Sequence, residues 1–425
     1  MPMISPESNP PETTTLRRVS FRWALLYGAA GVGIGIHDIW FNAMAGFFLR
    51  SYGLSNMAVG FLANERSFIG SVLVPFAGAV SDRLTWRWGR RKPFMLLIIP
   101  VAVGFLLLMG HPPESAVVAI FVLGPICMGL GATAYQVLLP DVVVEEQRGT
   151  INGVNRGLAF IGGIVLLLVA AAVWESQPDV VFMMAAASLV LGLAITMVGV
   201  KEAPPPPAES QPPVRWQPWA YLKDVLAYRA AAWYVAAYSI YWLGMGGITP
   251  FITRFAHEEL GIPQQETFIL LLAVMFGTLF AVAPAGWLGD KIGKKRVTQW
   301  GLFFFTIVIL AGSQVQTREQ VVIVMALAGL AQAVPTALAY PLFTELVPAR
   351  RMGELSGLST MVWSLAQPLG ATAFGLLADN QGTLRIVLLC GGLSLALSWV
   401  LLFKVPYRRP TGPVPAGSTE ARGGD

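Results

Sequence analysis

Charged residues are scarce in this chain of 425 residues, where they make up 12% of the sequence. A soluble domain carries about twice that share. Hydrophobic residues make up 55%, and the mean hydropathy is +0.61. This composition excludes an ordinary soluble domain, and the length leaves room for many membrane spans of about 20 residues each. We therefore expect an integral protein of the lipid bilayer.

Catalytic and metal-binding patterns are also lacking. The two cysteines, Cys127 and Cys390, lie in apolar runs without zinc-ligand spacing, and we expect them to be small buried side chains. His111 and His257 lie in predicted loops away from any Ser or Cys nucleophile, and there is no Walker loop. The N-terminus shows no signal-peptide pattern. The sequence therefore predicts neither an enzyme nor an ATP-driven pump, and no cofactor.

Twelve long apolar runs follow one another along the chain, with a proline-rich segment after the sixth. They predict an all-α membrane protein with twelve transmembrane helices in two pseudo-symmetric six-helix bundles. The four prolines at 204–207 cannot continue a helix and indicate a stiff linker. The predicted parts are an N-terminal tail, a first bundle, a linker, a second bundle and a disordered C-terminal tail, at 1–21, 22–200, 201–228, 229–403 and 404–425.

Positive charges fall mainly on one side of this predicted topology. Most of the 29 lysines and arginines lie in segments on the side of the N-terminus. Those predicted for the other side are Arg50, Arg254, Arg318 and Arg385. The positive-inside rule then places both termini in the cytoplasm, in a multi-pass protein of the cytoplasmic (inner) membrane. The net charge of +5 needs no nucleic-acid partner, because the topology already explains where the cations lie.

Two polar segments occur twice, once in each half. The stretch 78–93 places a glycine, an acid and a cluster of cations after an apolar run, and 286–296 repeats that arrangement. A second repeated stretch aligns Asp141 with Glu345. Duplicated halves with a cavity between them are a known plan of secondary transporters.

These repeats resemble the major facilitator superfamily, and the run Ser81-Asp82-Arg83, Arg87, Gly89-Arg90-Arg91 and Pro93 is similar to that of the glycoside–pentoside–hexuronide cation symporters and sucrose transporters. The resemblance implies the major facilitator fold, alternating access and a monomer. It also implies a polar cluster that closes the cytoplasmic side. The gating residues it suggests are Gly78, Asp82, Arg83, Arg87, Arg90, Asp141, Arg148, Asp290 and Glu345.

Ionisable residues inside predicted spans are the candidates for ion coupling, since a bilayer makes such groups costly. His37 and Asp38 lie in the first run, and Glu65 and Arg66 lie in the second. An arginine between two acids predicts one salt bridge and one spare carboxylate for a proton or sodium ion. The melibiose-type pair of acids is missing from the second run, which favours protons. A static ion pair that orients the two helices is the alternative.

Polar and aromatic residues in other spans are candidates for solute binding. Rings can stack on the C–H faces of a sugar while amides bind its hydroxyls, although the same surface would suit a flat drug or simple packing. The candidates are Asn42, Asn64, Arg156, Tyr238, Tyr241, Trp242, Gln332, Trp363 and Gln367.

The sequence therefore predicts a secondary active transporter of a small polar organic solute, a sugar or glycoside, coupled to protons or sodium. Two alternatives remain open at this point: proton-driven efflux of amphipathic compounds, and a non-transporting relative that handles pigments or assists assembly.

Overall fold

The computed structural model describes residues 18–64, 89, 91–202, 228–347 and 352–407, with the backbone alone for 352–358. All regular structure in these ranges is helical. The helices before residue 203 are α1 Phe21–Ala43, α2 Ala45–Ser51, α3 Asn56–Leu62, α4 Lys92–Met95, α5 Ile98–Met109, α6 Glu114–Val142, α7 Glu145–Val173 and α8 Pro178–Gly199. Those after residue 227 are α9 Arg229–Ile248, α10 Ile252–Glu258, α11 Gln264–Ile292, α12 Lys294–Gly312, α13 Arg318–Leu346, α14 Met352–Gln381 and α15 Arg385–Phe403.

Long apolar helices dominate the described ranges, and ten helical segments there are long and apolar enough to cross a membrane. Helix α12 is not among the ten and begins with three cations, at 294–296. The all-α membrane fold expected from the sequence is thus confirmed, with twelve as an approximate helix count. Most of the second apolar run lies outside the described residues.

Helices of the two halves pack in the same pattern. In the first half α1 packs against α7 and α8, and in the second half α9 packs against α14 and α15. Close contact requires glycine at the crossing points. A Cβ at Gly35 would collide with the backbone oxygen of Ala159, and one at Gly370 would collide with that of Leu243.

Tyrosine hydroxyls join corresponding helices in both halves. The Tyr27 hydroxyl on α1 donates to the Tyr135 carbonyl on α6 over 3.2 Å. In the second half the Tyr234 hydroxyl on α9 donates to the Ala339 carbonyl on α13. Polar groups between membrane helices are stabilised by such bonds, because hydrocarbon offers no alternative partner. The repeat that the sequence shows in its loops therefore extends to the interior.

Loop glycines repeat as well. Gly89 and Gly293 have φ angles of 108° and 105°, a region that residues with a side chain rarely adopt. The two glycines therefore share a backbone conformation at equivalent places in the two halves.

The first helix of each half is interrupted near one end. Helix α1 ends at Ala43, and α2 continues after Met44. Helix α9 passes through a 3₁₀ turn at Thr249–Phe251 into α10, where Pro250 removes a backbone donor. We call the end with these interruptions the far end. The opposite end, where α1 begins and α15 ends, is the terminal end.

Candidate transport pathway and its two ends

Helices from the two halves meet at the far end. There α3 packs against α14, and α7 packs against α11. The Asp379 carboxylate, on α14, accepts hydrogen bonds from the backbone N–H groups of Asn56 and Met57, each over 2.8 Å. The first N–H groups of a helix have no partner within it, and an anion there is favoured. Asp379 thus holds the start of α3 from the other half.

A fully buried arginine forms a second contact between the halves. We call the contacts made by Asn56, Arg254, Glu258 and Asp379 the far-end clasp. Arg254 on α10 is 0% exposed, and its Nε donates to Glu258 Oε1 over 2.8 Å. Its Nη2 donates to Asn56 Oδ1 in the first half, also over 2.8 Å. The charge of Arg254 is therefore balanced within its own helix, and the bond that crosses between the halves goes to a neutral amide.

Two more hydrogen bonds cross between the halves at the far end. The Thr253 hydroxyl donates to the Ala43 carbonyl over 3.0 Å, and the Trp174 indole donates to Gln264 Oε1 over 2.9 Å. No ion pair between two described residues joins the halves. In each of these described bonds at least one of the two partners is a neutral group.

Among the described residues of the terminal end, ion pairs lie within each half. Arg91 Nε, 5% exposed, binds Asp141 Oδ2 over 3.0 Å. Lys294 binds Glu345, whose other oxygen accepts from the Tyr407 hydroxyl over 2.7 Å. Each pair joins a cation at the start of the following helical segment to an acid at the end of a long helix, so the aligned acids Asp141 and Glu345 have equivalent places.

The other predicted gating residues are distributed differently. Arg148 donates to the carbonyls of Val143 and Pro140 and so covers the end of α6. Asp290 lies 3.8 Å from Lys294. Five predicted gating residues lie outside the described residues: Gly78, Asp82, Arg83, Arg87 and Arg90.

The predicted coupling residues on α1 form a direct contact. His37 Nδ1 lies 3.0 Å from Asp38 Oδ1, although neighbouring positions on a helix point about 100° apart. His37 is 0% exposed, and its buried Nε2 has no hydrogen-bond partner. The Asp38 side chain is 44% exposed. Glu65 and Arg66 lie outside the described residues, together with the salt bridge predicted for them.

The second half contains a packed aromatic cluster. Tyr238 and Tyr241 are 0% and 1% exposed, and their rings lie 5.4 Å apart. The Tyr238 ring is 5.7 Å from Trp363, and the Tyr241 hydroxyl donates to Gln332 Oε1 over 3.2 Å. In this conformation the two tyrosine side chains are buried and cannot contact a solute. The solute-binding candidates of the second half that are partly exposed pack beside them or lie on the helices of this cluster. Those are Trp242, Gln332, Trp363 and Gln367.

The remaining solute-binding candidates are dispersed. Asn42 is partly buried on α1, Asn64 is 6% exposed just after α3, and Arg156 is exposed on α7. Nothing described brings Arg156 into contact with the other candidates.

The far-end clasp includes residues that the sequence reasoning did not select: Asn56, Arg254, Glu258 and Asp379. Arg254 was expected only as a cation of the outer side. Its spacing of four residues from Glu258 was an available signal for an ion pair. No sequence pattern pointed to Asn56 and Asp379, which are far apart in the chain.

Comparisons with known proteins give a consistent result. The family described as "MFS/sugar transport protein" matches residues 26–383. Solute carrier family 45 member 4 of Mus musculus is 24% identical over 49% of this chain and 30% of its own length. The general alpha-glucoside permease of Schizosaccharomyces pombe is 27% identical over 39% of this chain and 34% of its own. The chain thus spans about a third of the length of these relatives.

Solved structures show the same fold at low identity. The nucleoside transporter NupG superposes with a TM-score of 0.69 at 14% identity, over 91% of this chain and all of that one. A bacterial homolog to the human lysosomal transporter Spinster, in an inward-facing and unoccupied conformation, gives 0.68 at 14% identity, over 90% and 95%. With the family match covering most of its length, the chain belongs to the MFS/sugar transport protein family.

Proposed function

We propose that this protein is a secondary active transporter that moves a small polar organic solute, a sugar or glycoside, by alternating access. The observation that carries the proposal is an asymmetry among the described residues: hydrogen bonds cross between the halves at the far end, while the described terminal-end ion pairs lie within each half. The two bundles, 22–200 and 229–403, are the rigid parts, joined by the linker 201–228. The sugar-transporting names among the relatives favour this class of solute.

Coupling to protons, or to sodium, is assigned to Asp38 in this proposal. Its carboxylate is 44% exposed and can exchange an ion, while the buried His37 fixes its position through a 3.0 Å contact. A carboxylate inside a membrane span is energetically costly, and such residues are therefore rare and usually functional. The cytoplasmic membrane, with both termini in the cytoplasm, follows from the distribution of positive charge.

Reconstituted vesicles test the proposal. Uptake of labelled monosaccharides, disaccharides and alkyl and aryl glucosides is measured with an imposed proton or sodium gradient, and then by exchange without a gradient. We expect at least one sugar or glycoside to accumulate in the vesicles against its concentration gradient. Asp38→Asn should abolish accumulation and retain exchange, because the amide resembles the protonated acid and cannot titrate.

Asp179→Asn is the matched control, since Asp179 is also exposed but lies in the first turn of α8. It should accumulate solute like the parent protein. If Asp38→Asn accumulates solute normally, Asp38 does not couple transport to an ion. If no sugar or glycoside is transported while amphipathic dyes are expelled, the solute class is wrong and the efflux alternative holds.

A further inference from the structure

Four aromatic rings form a strip on the outer surface of the second half near the terminal end. Trp300 and Phe303 lie on α12, and Trp399 and Phe403 lie on α15. Taken in this order, the ring centroids are 6.5, 5.1 and 5.2 Å apart. Trp300 is 67% exposed, and Phe403 is 59% exposed. We call these four residues the aromatic strip, a continuous exposed surface that joins two helices at the depth where aromatic residues meet lipid headgroups.

An unpaired cation lies one helical turn from this strip. Arg296 precedes Trp300 by four residues on α12, so the two side chains share a face, and Arg296 is about 6 Å nearer the terminal end. The ammonium group of its neighbour Lys295 donates to the Val405 carbonyl over 2.7 Å. Arg296 itself is exposed and makes no hydrogen bond or ion pair with a described residue. Its five N–H donors are therefore available to an anion outside the protein.

The first half has neither feature at the equivalent positions. In the alignment that pairs the two loop glycines, Lys92 stands at the position of Arg296, and its ammonium group donates to the Met197 carbonyl over 2.8 Å. Leu96 and Ile99 stand where α12 has its two aromatic residues. The last two turns of α8, which ends its half as α15 does, contain no aromatic residue. The strip and its free cation are therefore not a packing requirement of the repeated fold.

The charge of this end favours one kind of partner. Among the described residues, five cations and two acids lie at the terminal ends of α11, α12, α13 and α15: Lys291, Lys294, Lys295, Arg296, Lys404, Asp290 and Glu345. A second copy of the chain, packed symmetrically on the strip, would bring two such cationic ends together, where they repel. An anionic phospholipid supplies the opposite charge, and its acyl chains can cover the rings. Basic surfaces between membrane helices bind headgroups of this kind.

We propose that Arg296 and the aromatic strip bind one anionic phospholipid of the leaflet at the terminal end. The Arg296 guanidinium holds the headgroup phosphate through two parallel hydrogen bonds, which its planar fork permits. An acyl chain lies along the strip from Trp300 to Trp399 and so connects α12 with α15. Under the positive-inside topology this is the cytoplasmic leaflet, whose surface carries anionic lipids. The site does not depend on which solute the protein transports.

Lipid binding by the purified protein in detergent tests the proposal. Native mass spectrometry counts the bound lipids during titration with phosphatidylglycerol or phosphatidylcholine of the same acyl chains. We expect one phosphatidylglycerol to stay bound at concentrations where phosphatidylcholine does not. Arg296→Gln should weaken phosphatidylglycerol binding about fivefold, the contribution of one cation near an anionic lipid surface. Arg296→Lys should weaken it less, because an ammonium group keeps the charge but loses the bidentate geometry. Trp300→Leu combined with Trp399→Leu should also weaken it, since the acyl chain loses the rings that it covers.

Lys201→Gln is the matched control, because Lys201 is also an exposed cation of the terminal end but follows α8 in the first half. It should bind phosphatidylglycerol like the parent protein, and the unfolding temperature shows whether each variant has folded. Equal binding of the two lipids by the parent protein would overturn the inference, as would unchanged phosphatidylglycerol binding in both Arg296→Gln and the double tryptophan variant. Displacement of the lipid by glycerol phosphate would assign Arg296 to a free phosphate instead. A protein dimer that dissociates in the double tryptophan variant would assign the strip to a second copy. Either result also overturns the inference.

Discussion

At the scale of single residues, burial determines how much an ion pair contributes to stability. Arg254 and Arg318 each pair with a glutamate at 2.7 to 2.8 Å, yet the Arg254 side chain is 0% exposed and that of Arg318 is 64% exposed. Removing one partner of a buried pair leaves an uncompensated charge, whereas an exposed pair contributes little. Both pairs join an arginine to a glutamate, but removing the glutamate should destabilise the protein more at Arg254 than at Arg318.

We expect Glu258→Gln to lower the free energy of unfolding by about 3 kcal/mol, since it leaves the buried Arg254 without a counter-ion. Glu266→Gln, which removes the partner of the exposed Arg318, should cost less than about 1 kcal/mol. Thermal unfolding of both variants in the same detergent measures the difference. Equal losses would show that burial of Arg254 does not matter to the pair.

Gly89 and Gly293 share a backbone conformation but have different surroundings. A Cβ at Gly89 would collide with Glu202 Oε2, while one at Gly293 meets nothing within 4 Å. Gly293→Ala should cost about 1–3 kcal/mol from backbone strain, and Gly89→Ala should cost more. Gly149→Ala, in a helix with open space around it, is the control and should be neutral or slightly stabilising. An unfolding temperature for Gly89→Ala no lower than that of the control would contradict this order.

Residues related by the internal repeat could be predicted from the sequence, whereas contacts between the two halves could not. The alignment of Asp141 with Glu345, and of Gly89 with Gly293, needed only a repeat within the chain, and both pairs occupy equivalent places. The contact between Asp379 and the start of α3 joins residues more than three hundred positions apart. No local pattern encodes such a contact, because it depends on how the two halves meet.

At the scale of helices, small residues permit the close contact between α3 and α14. A Cβ at Gly60 would collide with the Ala371 carbonyl oxygen, and a Cβ at Gly375 with that of Asn56. Apolar runs in the sequence predict these helices, but the crossing glycines are ordinary residues until the partner helix is known. Likewise Pro250 signals the interruption of α9, whereas nothing near Met44 signals the end of α1.

Gly375→Ala should act as a wedge that separates α3 from α14. We expect it to disfavour the closed far end by more than about 1 kcal/mol, since overpacking at a tight contact costs that much. Spin labels on cysteines at Ser51 and Gln381, in a background without Cys127 and Cys390, report the far-end distance. Gly286→Ala, which meets nothing within 4 Å, is the control. An unchanged distance distribution in Gly375→Ala would contradict the tight contact.

At the scale of the whole molecule, the described hydrogen bonds between the two halves lie at the far end, and the described ion pairs of the terminal end lie within each half. The buried charge of Arg254 stays balanced when the halves separate at the far end, because its partner Glu258 lies on the same helix. The cost of opening is then a few hydrogen bonds and the packing of α3 on α14 and of α7 on α11. That cost is within the range that binding of a solute and an ion can supply.

The most direct measurement compares both ends of the protein when the far-end clasp is weakened. The double variant Asn56→Ala with Asp379→Asn loses the amide contact to Arg254 and about half the strength of the carboxylate bonds. Distances are measured with the far-end label pair at Ser51 and Gln381, and with a terminal-end pair at Thr150 and Ile292. Alternating access predicts that the far-end distance lengthens while the terminal-end distance shortens, with a shift in population of roughly tenfold. Asp179→Asn is the control and should change neither distance. A double variant whose far end opens while its terminal-end distance stays the same would contradict the account.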